Sequence, residues 1–355
     1  MTPPSELLLY CRPGFEPDLA AEITDKAAAH GRAGTADYPA GGGYVRFLVE
    51  GGEPANGLHR DLPLAGLVFA RQSLVALPPL TLSREDRLSP ILEQVKESGW
   101  SFESLWQETP DTNEAKALAG LIKALKRPLE STLKKRGALR RKAGGRRLHL
   151  LWSDGDRVQL GMSFPGNRSD LLGGIRRLRF PHAAPSRSTL KLEEAWHEFV
   201  PRDEWDARLG EGMQAADLGA APGGWTWQLV QRGMHVYAID NGPMDKGLMA
   251  TGMVEHLRED GFVWAPPGRL DWLVCDIVDQ PSKVMAMVQR WLVRRWCREA
   301  VFNLKLPMKR RWQEVADCLS RLESALAEAG VRAEVACRHL YHDREEVTVH
   351  VRLRD

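Results

Sequence analysis

The amino-acid sequence predicts an α/β fold: a doubly wound, Rossmann-like sheet in the C-terminal half, preceded by smaller α+β units. Three observations carry this. Beyond Asp217, apolar runs ending in a charged residue alternate with helical patterns: V-Y-A-I-D to Asp240, D-W-L-V-C-D to Asp276 and A-V-F-N-L-K to Lys305. The stretch A-A-D-L-G-A-A-P-G-G-W-T-W, Ala215 to Trp227, reads as strand, glycine turn and helix start, a join that aims backbone N–H groups at a ligand above the sheet edge. In the N-terminal part, by contrast, short strands and helices interleave between Gly and Pro breaks.

At 355 residues the chain exceeds what one core serves, so two or three domains are expected. With 43% hydrophobic and 27% charged residues it has an ordinary globular composition. No apolar run reaches the length of a membrane span, and the start M-T-P-P-S-E-L-L-L-Y-C lacks a signal peptide's basic region and apolar core. A cytoplasmic protein without membrane contact is expected, and a monomer. The five cysteines, Cys11, Cys275, Cys297, Cys318 and Cys337, form no C-x-x-C pair and are odd in number, which argues against a zinc site and a disulfide framework. No metal is expected.

The formal net charge of +2 averages over opposites. Between Ala115 and Leu150 twelve Lys and Arg face the single acid Glu130, a net +11 that leaves −9 for the rest. A charge run is often only a solvated face, but segregation on this scale favours a polyanion, most simply nucleic acid. Lys134, Lys135, Arg136, Arg140, Arg141, Arg146 and Arg147 are its candidate phosphate contacts.

Taken in order, L-L-L-Y-C from Leu7 is a strand, Arg12-Pro13-Gly14 a turn, and Phe15, Leu19, Ala20 and Ile23 recur at helical spacing. After Gly41-Gly42-Gly43, Val45, Phe47 and Val49 alternate with Tyr44, Arg46, Leu48 and Glu50, the period of a strand, with which Leu67 to Leu77 is expected to pair. Asp170 to Pro185, with Gly173-Gly174 and Arg176, Arg177 and Arg179, reads as a linker. Ser188 is the expected N-cap of a helix that buries Leu192, Ala195, Trp196 and Phe199. F-V-W-A after Asp260 is expected as a strand, Arg311 to Ala329 as a long helix, and V-T-V-H-V-R-L as the last strand.

The glycine turn is not a dinucleotide fingerprint, because Pro222 falls where that turn needs a free N–H. Gly219, Ala221, Pro222, Gly223 and Gly224 line the candidate ligand site, and Asp217 holds the turn. Asp240, at the end of the second strand, is placed to accept both hydrogen bonds of a ribose diol.

The pattern D-x-G-x-x-P-G-G-x-[ST] resembles motif I of S-adenosylmethionine-dependent methyltransferases of class I, in the form found in FtsJ-like RNA ribose methyltransferases. That resemblance implies S-adenosylmethionine as cofactor, with Ser188, Asp260 and Asp276 among its contacts. It also implies a Lys-Asp-Lys-Glu tetrad, carried by Lys191 in S-x-x-K-L, Asp276 in V-C-D, Lys305 in N-L-K and Glu346 in R-E-E-V-T-V. Adjacent Glu345 competes for the fourth place, with strand register favouring Glu346. The chain departs from the pattern where I-V-D-Q-P follows Asp276 and where Thr348 replaces a common aromatic.

The opening C-R-P-G-F-E-P-D-L-A-A-E-I resembles the ferredoxin-like unit of THUMP-containing RNA modification enzymes, and E-T-P-D-T-N-E-A-K-A-L with the basic segment resembles the THUMP domain. The expected domains are ferredoxin-like 1–80, THUMP 81–172, a linker 173–185 and an FtsJ-type methyltransferase domain 186–355. Over almost its whole length the chain resembles the ribosomal RNA large subunit methyltransferase M family. This implies 2′-O-methylation of a cytidine in the peptidyl-transferase region of 23S rRNA, with 23S rRNA or its precursor as partner.

A ribose 2′-hydroxyl is a poor nucleophile at neutral pH, so a base must take its proton. A lysine serves only if burial and a neighbouring ammonium depress its pKa. Lys305 is the expected base, Lys191 that neighbour, and Asp276 and Glu346 the groups that orient both amines. An exocyclic-amine methyltransferase would need an N-P-P-[YF]-like sequence where D-I-V-D stands, and a cytosine C5 enzyme a nucleophilic cysteine beside Pro or Thr. A non-catalytic RNA-binding assembly factor on the same fold is the alternative from another class.

Overall fold

In the computed structural model, which describes residues 4–354, the first three residues of the start considered for a leader lie outside the described chain. One compact unit runs to Ile175 and a second begins at Arg176.

In the first unit, β1 (Glu6–Tyr10) is buried along its length, and α1 (Glu16–Ala29) buries Leu19, Ala20 and Ile23 at the predicted spacing. β2 (Gly34–Asp37) and β3 (Tyr44–Val49) follow, and β3 buries Val45, Phe47 and Val49. After α2 (Ala55–Asp61) comes β4 (Gln72–Ala76), which departs from expectation by pairing with β1 instead of β3. The reason is that β1 sits between the two, antiparallel to both, with Leu8 opposite Arg46 on one side and Leu74 on the other. The remaining elements are β5 (Leu80–Thr81), α3 (Leu88–Ser98), β6 (Ser104–Glu108), α4 (Ala119–Lys135), β7 (Arg147–Asp154) and β8 (Arg157–Ser163). All eight strands join one sheet in the order β2-β3-β1-β4-β8-β7-β6, with β5 beside β8.

A buried polar network crosses this sheet. Glu108 accepts from Tyr10 Oη at 3.1 Å and from Gly173 N at 2.7 Å, and lies 2.6 Å from His149 Nδ1, whose Nε2 is 2.8 Å from Ser163 Oγ. The Ser, His and carboxylate order mimics a hydrolase triad, but Ser163 and His149 are fully buried, so the network satisfies polar groups within the sheet.

The second unit holds α5 (Thr189–Phe199), α6 (Trp205–Arg208), β9 (Gln214–Leu218), α7 (Gly224–Gln231), β10 (His235–Ile239), α8 (Lys246–Met249), β11 (Val254–Leu257), β12 (Leu270–Cys275), α9 (Pro281–Val293), β13 (Cys297–Lys305), α10 (Arg311–Glu328), β14 (Arg332–Arg338) and β15 (Glu346–Arg354). The strand order is β11-β10-β9-β12-β13-β15-β14, parallel throughout except for β15, which runs antiparallel to β13 and β14. Order reverses between β9 and β12, so a crevice opens at their C-terminal ends, where doubly wound sheets bind ligands. Trp196, Trp272 and Trp291 are wholly buried in this unit.

Two expectations change here. F-V-W-A is a turn, not a strand: the carbonyl of Asp260 accepts from Val263 N and Trp264 N, and its Oδ1 from Phe262 N at 2.8 Å. The strand lies earlier, in V-E-H-L, where Val254 pairs with Val236 in parallel register. Ser188 does stand at the N-cap position of α5, but its side chain caps nothing there; its Oγ lies 2.7 Å from Ser186 Oγ.

Candidate active site

The glycine turn is built by close packing. Gly219 has φ +78°, and a Cβ there would lie 2.6 Å from Ile277 Cγ1. Gly223 has φ +115°, with Leu248 Cδ2 2.5 Å from where its Cβ would be, and a Cβ on Gly224 would collide with Ser188 Oγ. Any side chain at these positions would push the turn off its neighbours, which is why three glycines recur within six residues. The Ala221–Pro222 peptide is cis. Ser188 is seated against the turn, its carbonyl accepting from Trp225 Nε1 at 3.0 Å.

Asp217 is buried under the turn and accepts from Thr226 Oγ1 at 2.7 Å. Burial, aided by Asp276 and Asp240 and opposed by the Thr226 hydrogen bond, pushes its pKa up to about 7. Asp240, half-buried at the end of β10, is oriented by the loop itself: Oδ2 accepts from Ala221 N at 3.0 Å and Oδ1 from Gly242 N at 2.7 Å. Each carboxylate oxygen has acceptor capacity beyond one such bond. Asp260 is exposed in its own turn, whose Gly261 would bring a Cβ within 3.4 Å of Leu218 Cβ, at the same sheet edge.

Lys191, Asp276, Lys305 and Glu346, 155 residues apart in sequence at their extremes, form one cluster. Lys191 Nζ lies 3.1 Å from Asp276 Oδ2 and 2.6 Å from Glu346 Oε1; Lys305 Nζ lies 2.5 Å from Asp276 Oδ1 and 3.6 Å from Glu346 Oε2. Their side chains retain between 8% and 18% exposure, so the cluster is enclosed yet reachable. Burial alone would raise the pKa of Asp276, but Lys191 and Lys305 outweigh it and hold the carboxylate below its ordinary value. Burial likewise works against charge on Lys191, and Asp276 and Glu346 outweigh it and raise the lysine's pKa. Glu345 points elsewhere, 57% exposed and paired with Arg311 at 2.6 Å, so the fourth member of the cluster is Glu346.

Three more residues join the cluster that the sequence pattern does not single out for a role. Asn303 Nδ2 donates to Asp276 Oδ1 at 3.0 Å, and Thr348 Oγ1 lies 2.9 Å from Asn303 Oδ1 and 2.9 Å from Asp343 Oδ2. In β13 and β15, Asn303 pairs with Thr348 and Lys305 with Glu346, so these polar residues share a face at the two-residue strand period. A polar Asn inside the apolar run A-V-F-N-L-K was the available signal.

In the first unit, Lys134, Lys135, Arg136, Arg140 and Arg141 are exposed and Arg146 is half-buried, with Nη2 donating to Ser101 Oγ at 2.9 Å. Beside them an open groove of about 610 Å³ runs over Leu92, Val95 and Leu133 past Trp100, Arg136 and Arg140. Arg147 does not belong to this face. It is buried on β7, with its guanidinium 3.5 Å from the Trp106 ring centroid and its Nη2 3.1 Å from Asp170 Oδ1, while Nε donates to Ser104 Oγ, so its donors are taken up by protein groups.

Residues 4–74 match the RlmM ferredoxin-like domain, 86–164 the N-terminal region of ribosomal RNA large subunit methyltransferase M, and 184–289 the FtsJ-like methyltransferase family. The ribosomal RNA large subunit methyltransferase M of Chromohalobacter salexigens is 71% identical over 353 residues, 99% of each chain. Its namesake from Edwardsiella ictaluri is 52% identical over 98% of this chain and 94% of its own. That of a Marinomonas species is 50% identical over 97% of this chain and 98% of its own.

Proposed function

The chain belongs to the ribosomal RNA large subunit methyltransferase M family, and from that premise we propose that it methylates the 2′-hydroxyl of a cytidine in 23S rRNA, with Lys305 as the base. S-adenosylmethionine is the cofactor, and when bound it supplies an electrophilic methyl group on a sulfonium. The residues present fit it. The turn between β9 and α7 carries only the small side chains of Ala220, Ala221 and Pro222, α7 begins without a side-chain cap, and Asp240 offers an oriented carboxylate to a ribose diol. Ser188 and Gly219 to Gly224 would hold its amino-acid end, and Asp240 its ribose.

The observation that carries this reading is the enclosed Lys191, Asp276, Lys305 and Glu346 cluster. Asp276 and Glu346 keep Lys191 charged, and Lys305, the other amine of the cluster, lies against Asp276. Lys305 Nζ takes the 2′-hydroxyl proton, and Asp276 then stabilises the ammonium so formed. The rest is alignment of the ribose oxygen, which an enclosed site supplies. The cytidine itself rests on the family resemblance. The exposed basic face of the first unit is read as the RNA contact, through phosphates.

The test is cofactor-dependent methyl transfer to 23S rRNA from a strain lacking the gene, with the modified nucleotide mapped by alkaline resistance of the adjoining phosphodiester. RNA binding without methyl transfer would favour the assembly-factor alternative.

A further inference from the structure

We propose that Asp343, Thr348 and Asn303 form a one-way hydrogen-bonded wire that sets the orientation of Asp276, with Asp343 serving as a neutral carboxylic acid. This rests on the methyl-transfer reading, since it assigns positioning residues to that site.

Donor counting sets the direction. Asp276, ionised between two lysines, only accepts. Asn303 must therefore turn its amide nitrogen toward Asp276 Oδ1, 3.0 Å away, which leaves its Oδ1 facing Thr348. Thr348 Oγ1 has one hydrogen, and Asn303 Oδ1 at 2.9 Å takes it. Yet the same hydroxyl lies 2.9 and 3.1 Å from the two oxygens of Asp343. With the hydroxyl hydrogen already used, a bond between them needs a proton on Asp343.

The surroundings of Asp343 agree. It is fully buried. Glu346 faces it from β15 and Glu194 and Lys191 from α5, while Leu340 N donates to its Oδ2 at 2.9 Å. Burial first, then the two carboxylates, push its pKa well above the ordinary range, with Lys191 and the Leu340 bond opposing. In the same loop His342 Nδ1 lies 2.6 Å from Glu194, and His339 Nε2 lies 3.1 Å from the Arg344 carbonyl. Glu194 also accepts from Tyr341 N at 2.9 Å and His342 N at 2.8 Å. One helical turn from Lys191, it ties this loop to the helix that carries the lysine. The wire thus runs from a pinned loop, across the Asn303 and Thr348 strand pair, to the Asp276 oxygen that lies 2.5 Å from Lys305.

The experiment compares Thr348→Val, Thr348→Ser and Asp343→Asn in the full-length protein. Cofactor affinity is measured by calorimetry, single-turnover methylation of unmodified rRNA across pH, and the Asp343 carboxyl by ¹³C NMR without cofactor, assigned by its loss in Asp343→Asn. Thr348→Val is expected to keep cofactor affinity and lose about 10- to 100-fold in rate, the scale of a small misplacement at a reacting centre. Thr348→Ser should restore most of it. Asp343→Asn, whose amide still donates to Thr348 and accepts from Leu340, should stay within a few-fold of wild type, and the Asp343 carboxyl should stay protonated through neutral pH. A wild-type rate in Thr348→Val, an Asp343→Asn rate as low as that of Thr348→Val, or an ionised Asp343 at neutral pH each overturns the wire. If Thr348→Val fails to fold, the other two variants and the NMR signal decide. An inactive wild-type enzyme would instead remove the proposed function and leave the protonation result standing.

Discussion

Lys305 and Glu346 are direct cross-strand partners in β13 and β15, yet Glu346 makes its short contact with Lys191, at 2.6 Å, and stands 3.6 Å from Lys305. Lys191 is thereby held by two carboxylates, and Lys305 leans mainly on Asp276. This asymmetry suits one lysine that keeps its proton and one that exchanges it.

Lys305→Met, which retains the apolar stem, should bind cofactor and RNA but lose roughly 10²–10⁴-fold in single-turnover methylation at every pH, the usual reach of a general base. Lys191→Met, which leaves Asp276 and Glu346 without the ammonium they share, should also lose activity, but less than Lys305→Met, because the proposed base is still present. Equal rate losses in the two variants would remove the division of labour, and normal turnover in Lys305→Met would remove the base.

Asp240→Ala should weaken cofactor binding by roughly 1–3 kcal/mol for each hydroxyl left unpaired. The substitution also releases the N–H groups of Ala221 and Gly242, so the turn should loosen. Calorimetry on Asp240→Ala and Asp240→Asn separates these effects: Asn retains one acceptor and should recover part of the affinity. Wild-type affinity in both variants would place the ribose elsewhere.

Replacing Lys134, Lys135, Arg136, Arg140 and Arg141 with Ala should weaken RNA binding and flatten its dependence on salt, by about 0.9 in log–log slope for each phosphate no longer neutralised on a duplex and somewhat less on single strands. Cofactor affinity should not change. Arg147→Ala should act differently, because its guanidinium lies over Trp106 and pairs with Asp170. It should cost about 1–2 kcal/mol of stability by removing the cation–π interaction and the packing of the arginine stem. If Arg147→Ala lowered the salt slope without lowering the melting temperature, its assignment to the interior would be wrong.

Asp217 should make stability depend on pH. Its folded-state pKa of about 7 lies above the roughly 3.9 of an unfolded aspartate, so the folded chain binds the extra proton between these values. The stability it contributes is full below about pH 4 and is lost as pH rises to about 7. Asp217→Asn, which still accepts from Thr226, removes this titration. The stability gap between variant and wild type should widen in favour of the variant across that window, by an amount on the order of a few kcal/mol. A constant gap in urea midpoints from acid to neutral pH would show that Asp217 does not titrate there.

Much of the architecture was legible because its signals are local. Strand periodicity in Tyr44–Val49, the helical stripe of α1 and the alternation after Asp217 each depend on neighbours a few residues away. Pairing is not local. Leu67 to Leu77 looked like a partner for Tyr44–Val49, but its strand Gln72–Ala76 took the free side of β1. F-V-W-A had the composition of a strand, and Asp260 turned it into a loop through bonds to three following N–H groups.

By itself the sequence determined the sheet type and the glycine turn, because residue type and short spacing suffice to specify a strand end or a turn that needs glycine, whereas the four tetrad positions followed from a family resemblance that left Glu345 and Glu346 in competition. Tertiary structure alone decided that Arg147 is buried, that Glu346 faces the lysines while Glu345 faces Arg311, and that Asn303, Thr348 and Asp343 stand behind Asp276. Register between β13 and β15 sets which polar groups meet, and partners distant in sequence set whether a charge is desolvated or left in water. Neither quantity is written in the residues adjoining the ones they affect.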